Sequence, residues 1–220
     1  MRIRKKTWAI PELTACPYFI QEPTKLKGHW REWFPSSHPL HVELGCGKCT
    51  FTAELAAQNP DVNYVAIDIS TDILGVARRN FEERFAQDHK PVENVAILAY
   101  DIEKIPDILS QDDDVEKLYI NFCNPWPKAR HHRKRLTYPH QLELYKKFMR
   151  PGAELHFKTD DYNLYLATLR YLKEAGLEIL WQTQDLHHCT DSPQCHITTE
   201  HEDRFTAQGI PIKAIVARFP

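Results

Sequence analysis

The chain has 220 residues, with 28 Lys and Arg against 30 Asp and Glu for a net charge of -2, and is long enough to bury one substantial core. Its 42% hydrophobic and 26% charged content is ordinary for a globular protein, and no apolar run approaches the roughly 20 residues of a membrane span. The basic start, Met1 to Lys6, has no apolar stretch behind it and so is not a signal peptide, which leaves a cytoplasmic protein with no membrane partner as the expectation.

In chain order, residues 1–35 carry Pro11, Pro17, Pro23 and Pro35 and predict either an extension wrapped on the domain or a flexible arm. Arg2, Arg4, Lys5 and Lys6 make its tip basic. Residues 36–220 hold the main domain. His41-Val42-Glu43-Leu44 predicts a strand stopped by Gly45-Cys46-Gly47, and Lys48 to Gln58 a helix with Phe51 and Leu55 one turn apart. Tyr64–Ile67 predicts a strand ending on Asp68. Asp72 to about Asp88 is helical in period, with Ile73, Val76, Ala77, Phe81 and Phe85 on one face.

Val95–Leu98 then predicts a third strand closing on Asp101, and Leu118–Phe122 a fourth. Pro139–Met149 is expected as a helix, Glu154–Phe157 as a strand running into Lys158-Thr159-Asp160, and Tyr162–Glu174 as a helix stopped by Gly176. The last two strands, Leu177–Trp181 and Ile212–Val216, have no helix of comparable length between them and predict an antiparallel pair. Alternation of strand and helix implies right-handed crossovers and an α/β fold with a doubly wound, mostly parallel sheet.

Ligands of such sheets bind outside the carboxyl ends of the strands. Those ends carry Glu43, Gly45 and Gly47, then Asp68, then Asp101, then Asn124. The glycines allow a tight turn and close approach of a ligand, and Asp68 is placed like the acid that takes a ribose diol. Asp101 can flank an adenine edge. The third glycine of a dinucleotide fingerprint is absent, because Lys48-Cys49-Thr50 follows Gly47. A glycine turn with an acid on successive strands suits a cofactor without phosphate, namely S-adenosylmethionine. Each acid taken singly also suits a helix N-cap.

Asn121 to Lys128 reads Asn-Phe-Cys-Asn-Pro-Trp-Pro-Lys, and Arg130, His131, His132, Arg133, Lys134 and Arg135 follow. So concentrated a positive run on a near-neutral chain predicts phosphate contact beside a shaped pocket, with Lys128, Arg130, Arg133, Lys134 and Arg135 as the ligands. Trp126 either stacks on an unstacked base or packs under the loop. The six cysteines, at 16, 46, 49, 123, 189 and 195, read as reduced thiols. Cys189 and Cys195 with His187, His188 and His196 lack the clean second ligand couple of a zinc site, so no metal is expected.

Glu-Leu-Gly-Cys-Gly-Lys at 43–48, Asn-Phe-Cys-Asn-Pro-Trp-Pro-Lys-Ala-Arg-His at 121–131, Arg133 to Thr137, His-Phe-Lys-Thr-Asp at 156–160 and Thr-Glu-His-Glu at 199–202 stand in one order. From about residue 25 to the end, this pattern resembles the bacterial tRNA (guanine-N7-)-methyltransferases. The resemblance implies the seven-stranded, Rossmann-like class I methyltransferase sheet with its last strand pair antiparallel. It implies cofactor contacts at Glu43, Asp68, Asp101 and Asn124. Guanine contacts would fall on Lys128, Asp160, Thr199, Glu200, His201 and Glu202, with tRNA as the partner of a monomer or homodimer. The family typically has an Asp with a catalytic role at Asn124, so methyl transfer to guanine N7 is expected to be slowed. Two other readings stay open: an RNA-binding protein that keeps the pocket without turnover, and a class I methyltransferase with a different substrate.

Overall fold

The computed structural model describes residues 5–193 and 197–220. Arg2 and Arg4 of the basic tip, and Cys195 and His196 of the Cys/His segment, lie outside these residues. Three elements precede or flank the first crossover: α1 (Ala9–Thr14), α2 (Trp30–Trp33) and β1 (Leu40–Leu44). They are followed by α3 (Thr50–Gln58), β2 (Asn63–Asp68), α4 (Thr71–Gln87), β3 (Val95–Ala99), β4 (Val115–Asn121), α5 (Pro139–Tyr145) and β5 (Met149–Thr159). The chain closes with α6 (Tyr162–Glu174), β6 (Glu178–Thr183), α7 (Glu200–Thr206) and β7 (Lys213–Arg218).

The seven strands form one sheet in the order β3-β2-β1-β4-β5-β7-β6. β1 to β5 pair in parallel, while β7 runs antiparallel to both β5 and β6. β1 therefore lies beside both β2 and β4, and the winding reverses at the β1/β4 gap. That gap is the switch point where an open α/β sheet binds its ligand. β1, β2 and β3 are buried nearly throughout, as strands covered on both faces require, while the edge strand β6 has no buried residue. Leu40, Val42, Leu44, Val65, Ile67, Leu118, Ile120, Leu155 and Phe157 supply one face of the core.

Two helix boundaries depart from the sequence reading. α3 starts at Thr50 rather than Lys48, because Cys49 takes the left-handed conformation at φ 55° and cannot belong to the helix. α5 ends at Tyr145, and Met149 opens β5. Met149 pairs with Val115 of β4, so the backbone is extended from there onward.

Residues 5–35 lie against the sheet and its helices. Trp30 is fully buried and donates its indole N–H to the Ile108 carbonyl at 2.7 Å. α1 packs on α4 so closely that a Cβ at Gly75 would stand 2.6 Å from the Ala9 Cβ. Glu12 bridges Arg78 at 2.8 Å and Arg79 at 2.5 Å, and the Arg79 guanidinium lies 3.6 Å over the Trp8 ring.

Candidate active site

Side chains alternate across a strand, so residues two apart share a face. His41 and Glu43 on β1, Tyr119 and Asn121 on β4, and His156 and Lys158 on β5 therefore form a polar band across three adjacent strands. At its carboxyl end Glu43 is 5% exposed, accepting from the Thr52 hydroxyl and from Asn121 Nδ2 at 3.0 Å. Burial pushes the Glu43 carboxyl up to about 7, against the opposing pull of these two hydrogen bonds. A carboxyl held there can carry its proton or lose it near neutral pH.

The turn after β1 stands above this band. Gly45 and Gly47 both lie in the left-handed region, at φ 69° and 56°. A Cβ at Gly47 would meet nothing within 4 Å, so the backbone angle rather than crowding calls for glycine. Asp68 at the tip of β2 holds the turn, accepting from the Gly47 N–H at 3.0 Å and the Ser70 N–H at 2.9 Å.

A cleft of about 360 Å³ opens between this turn and the first turn of α7. Glu43, Gly45, Gly47 and Lys48 line one side, Asn121 and Phe122 the base, and Thr199, Glu200 and His201 the far side. Lys48 bridges Glu200 across the mouth at 2.7 Å, although 152 residues separate them in the chain. Phe122 stacks on His201 with ring centroids 6.0 Å apart.

Beyond Phe122 the chain enters the Pro-Trp-Pro loop under strain. Phe122 and Trp126 sit at φ 51° and 41°, a region that bulky side chains avoid. Three contacts hold them there. The Phe122 N–H donates to the Lys158 carbonyl at 2.9 Å, Asn124 Oδ1 accepts from the Trp126 N–H at 3.1 Å, and Arg135 donates to the Pro125 carbonyl at 2.8 Å. Trp126 is partly exposed, with the His131 ring edge-on at 5.6 Å and Lys134 Nζ 5.1 Å from its centroid.

The chain belongs to the tRNA (guanine-N(7)-)-methyltransferase family. Residues 37–215 match a family described as "Putative methyltransferase". The tRNA (guanine-N(7)-)-methyltransferase of Clostridium beijerinckii is 47% identical over 217 residues, covering 99% of this chain and 98% of the relative. That of Clostridium perfringens strain SM101 is 45% identical, with 99% of each chain covered. The fold is that of the class I methyltransferases: a solved 16S rRNA methyltransferase superposes with a TM-score of 0.60 at 14% identity, over 99% of this chain and 96% of its own.

The structure brings together only part of the residue set read from the sequence. Glu43, Gly45, Gly47, Thr199, Glu200 and His201 meet in the cleft, with Asp68 behind its glycine turn. Asp101 and Asn124 are not among the cleft's lining residues. Asp101 caps a 3-10 turn through the Glu103 N–H at 3.1 Å, and Asn124 is exposed on the loop. Asp160 is half-buried, and its carbonyl accepts from Lys213 Nζ at 3.0 Å.

Two residues need correction. Glu202, expected to reach guanine, is 1% exposed and turned inward to Lys158 at 3.2 Å and His187 at 3.4 Å. It also closes a capping box with Thr199, which fixes the first turn of α7. Arg135, expected on phosphate, is 4% exposed and bonded to the Pro125 and Trp126 carbonyls and the Tyr171 hydroxyl. Lys128, Arg130, Arg133 and Lys134 remain exposed, and none forms an ion pair among the described residues.

Sequence reasoning passed over Thr52, Asn121 and Lys158. Asn121 and Lys158 lie two residues along their strands from Tyr119 and His156, and this period-two polarity in otherwise apolar strands was the available signal. Cys46 and Cys49 are buried free thiols, both raised by burial. Among the described residues no group of three or more His, Cys, Asp or Glu could hold a metal ion, and no helix is long and apolar enough to cross a membrane.

Proposed function

We propose that this chain transfers the methyl group of S-adenosylmethionine to N7 of a guanosine in tRNA, with residues 36–220 as the methyltransferase domain and residues 1–35 as its extension. One observation carries the reading: the Gly45–Lys48 turn and the Thr199–His201 segment face each other across one cleft at the β1/β4 switch point. The substrate class comes from the relatives, which are named for tRNA guanine N7.

The donor set suits the cofactor. Open space beside Gly47, a carboxylate behind the turn at Asp68 and a buried carboxyl floor at Glu43 fit a nucleoside with a cationic tail better than a pyrophosphate. Gly45, Gly47, Glu43 and Asp68 would hold it, and Asp101 and Asn124, which do not line the cleft, would reach it only from outside that lining. When bound, S-adenosylmethionine supplies a methyl group on a positively charged sulfur.

Guanine N7 has a lone pair and no proton, so its attack needs no general base. The residues of this chain act by orienting the base and by stabilising the positive charge that reaches the purine. Thr199, Glu200 and His201 would form one wall for the guanine, with Lys128 and Asp160 reaching it from outside the cleft lining. Glu202 acts through Thr199 rather than on the base. Lys128, Arg130, Arg133 and Lys134 would take phosphates.

The test is mass spectrometry of tRNA nucleosides after incubation with the protein and S-adenosylmethionine. Formation of 7-methylguanosine is expected. Cofactor and tRNA binding without any methylated nucleoside would favour a non-catalytic RNA-binding protein.

A further inference from the structure

A second concavity, about 640 Å³, runs on the other side of the Pro-Trp-Pro loop. Asn163, Leu166 and Arg170 of α6 form one wall, and Pro125, Pro127 and His132 the other. The three α6 residues are spaced by three and four and so share one helix face. Leu166 is 40% exposed, and Tyr162 one turn earlier is 48% exposed, two of the few large apolar side chains so open to solvent. Scattered singly, such residues need no explanation, but Leu166 stands in a groove with two prolines.

The charge around this apolar floor is mainly positive. Arg170 forms no ion pair among the described residues, and the exposed cations of the Ala129–Lys134 turn continue from His132. The groove's one carboxylate, Asp161, is already engaged in capping α6 through the Leu164 N–H at 2.6 Å. Apolar surface flanked by unpaired cations suits an unstacked nucleotide, whose base lies on the floor while its phosphate meets the guanidinium. The loop itself links the two sites: Asn121 and Phe122 line the cofactor cleft, and Pro125 and Pro127 line the groove.

We infer that this groove is an RNA-binding surface that holds a nucleotide flanking the target guanosine, with Leu166 under the base and Arg170 on a phosphate. The inference rests on the tRNA reading proposed above and adds α6 to the interface. It predicts that the loop is gripped from both sides when RNA is bound.

The experiment measures tRNA affinity across a salt series for the unaltered 220-residue chain and for Arg170→Ala and Leu166→Ser. Both side chains are open to solvent, so both variants should fold, as checked by thermal melting. For Arg170→Ala the slope of log affinity against log salt should fall by about 0.7–0.9, the share of one phosphate. For Leu166→Ser affinity should fall about tenfold with the slope unchanged, as for loss of one buried apolar contact under the base. Affinity for S-adenosylmethionine should be the same in all three proteins. Unchanged tRNA affinity and slope in both variants overturns the inference, whatever the wild type does to guanosine. A change of oligomeric state in Leu166→Ser, read by sedimentation, also overturns it, because the groove would then be covered by a second copy. A wild-type protein that binds no tRNA at all would instead remove the tRNA reading itself.

Discussion

Lys158 and Glu202 form an ion pair at 3.2 Å in which both side chains are at most 2% exposed, joining the end of β5 to the first turn of α7. Lys158 also donates to the Ile197 carbonyl at 3.2 Å, so one ammonium fixes the segment that becomes the far wall of the cleft. Removing one partner of such a pair leaves a buried charge uncompensated, while removing both is far milder. Lys158→Met should therefore cost about 3–5 kcal/mol in urea unfolding. Adding Glu202→Gln should recover most of it, because Gln still serves the capping box. A harmless Lys158→Met would show that the pair does not hold α7.

Arg133 and Arg135 are two residues apart and should behave oppositely. Arg133→Ala should leave stability unchanged and lower the salt slope of tRNA binding by about 0.7–0.9. Arg135→Ala removes donors from half-buried carbonyls and should cost about 1–3 kcal/mol of stability, with the strained loop loosened. Equal effects of the two on the salt slope, with no loss of stability in either, would contradict the burial of Arg135.

Asn124→Asp should speed methyl transfer. Asp can accept the same Trp126 N–H, so the loop conformation is kept and only charge changes. Because Asn124 lies outside the cleft lining, a full negative charge there would act on the purine cation at a distance, which limits the gain to at most about tenfold, or about 1.4 kcal/mol. Single-turnover rates on tRNA check this. Equal rates would mean that orientation alone carries the reaction.

Glu43 sets a pH dependence of definite sign. Its folded value, about 7, lies above that of an unfolded glutamate, about 4.3. The protonated carboxyl thus adds stability that is fully present below the unfolded value and is lost as pH rises through about 7. A cationic ligand in the cleft favours the carboxylate, so binding of S-adenosylmethionine near pH 6.5 should release part of a proton. Calorimetry in buffers of different ionisation enthalpy measures it, and Glu43→Gln should abolish the release. Proton uptake, or release that persists in Glu43→Gln, would place the titrating group elsewhere.

Gly75→Ala decides whether α1 is docked in solution. In an open helix position the substitution gains about 0.5–1 kcal/mol, but here the new methyl would stand 2.6 Å from the Ala9 Cβ. Overpacking of that kind costs about 1–3 kcal/mol, so the variant should be less stable and more readily cleaved by trypsin after Lys5 or Lys6. A stabilised variant would show that α1 does not rest on α4.

Local pattern was enough to place most of the sheet. β2, β4 and β5 end on a polar residue and β1 is stopped by Gly45, and α6 was legible to its end residues because its apolar positions recur at helical spacing. The acids at the strand tips followed from the same pattern, since an α/β sheet presents those tips to its ligand. The tertiary structure alone decided what depends on partners distant in the chain. A run of cations has no period that marks which one is inside, so Arg135 looked like Arg133 until the loop carbonyls and Tyr171 closed around it. Glu202 read as a free carboxylate because Lys158 lies 44 residues away. The insertion of β7 between β5 and β6 was likewise set by long-range pairing, not by anything in Lys213–Arg218 itself. Side-chain periodicity reports which face of an element is apolar; it carries no information about which element that face will meet.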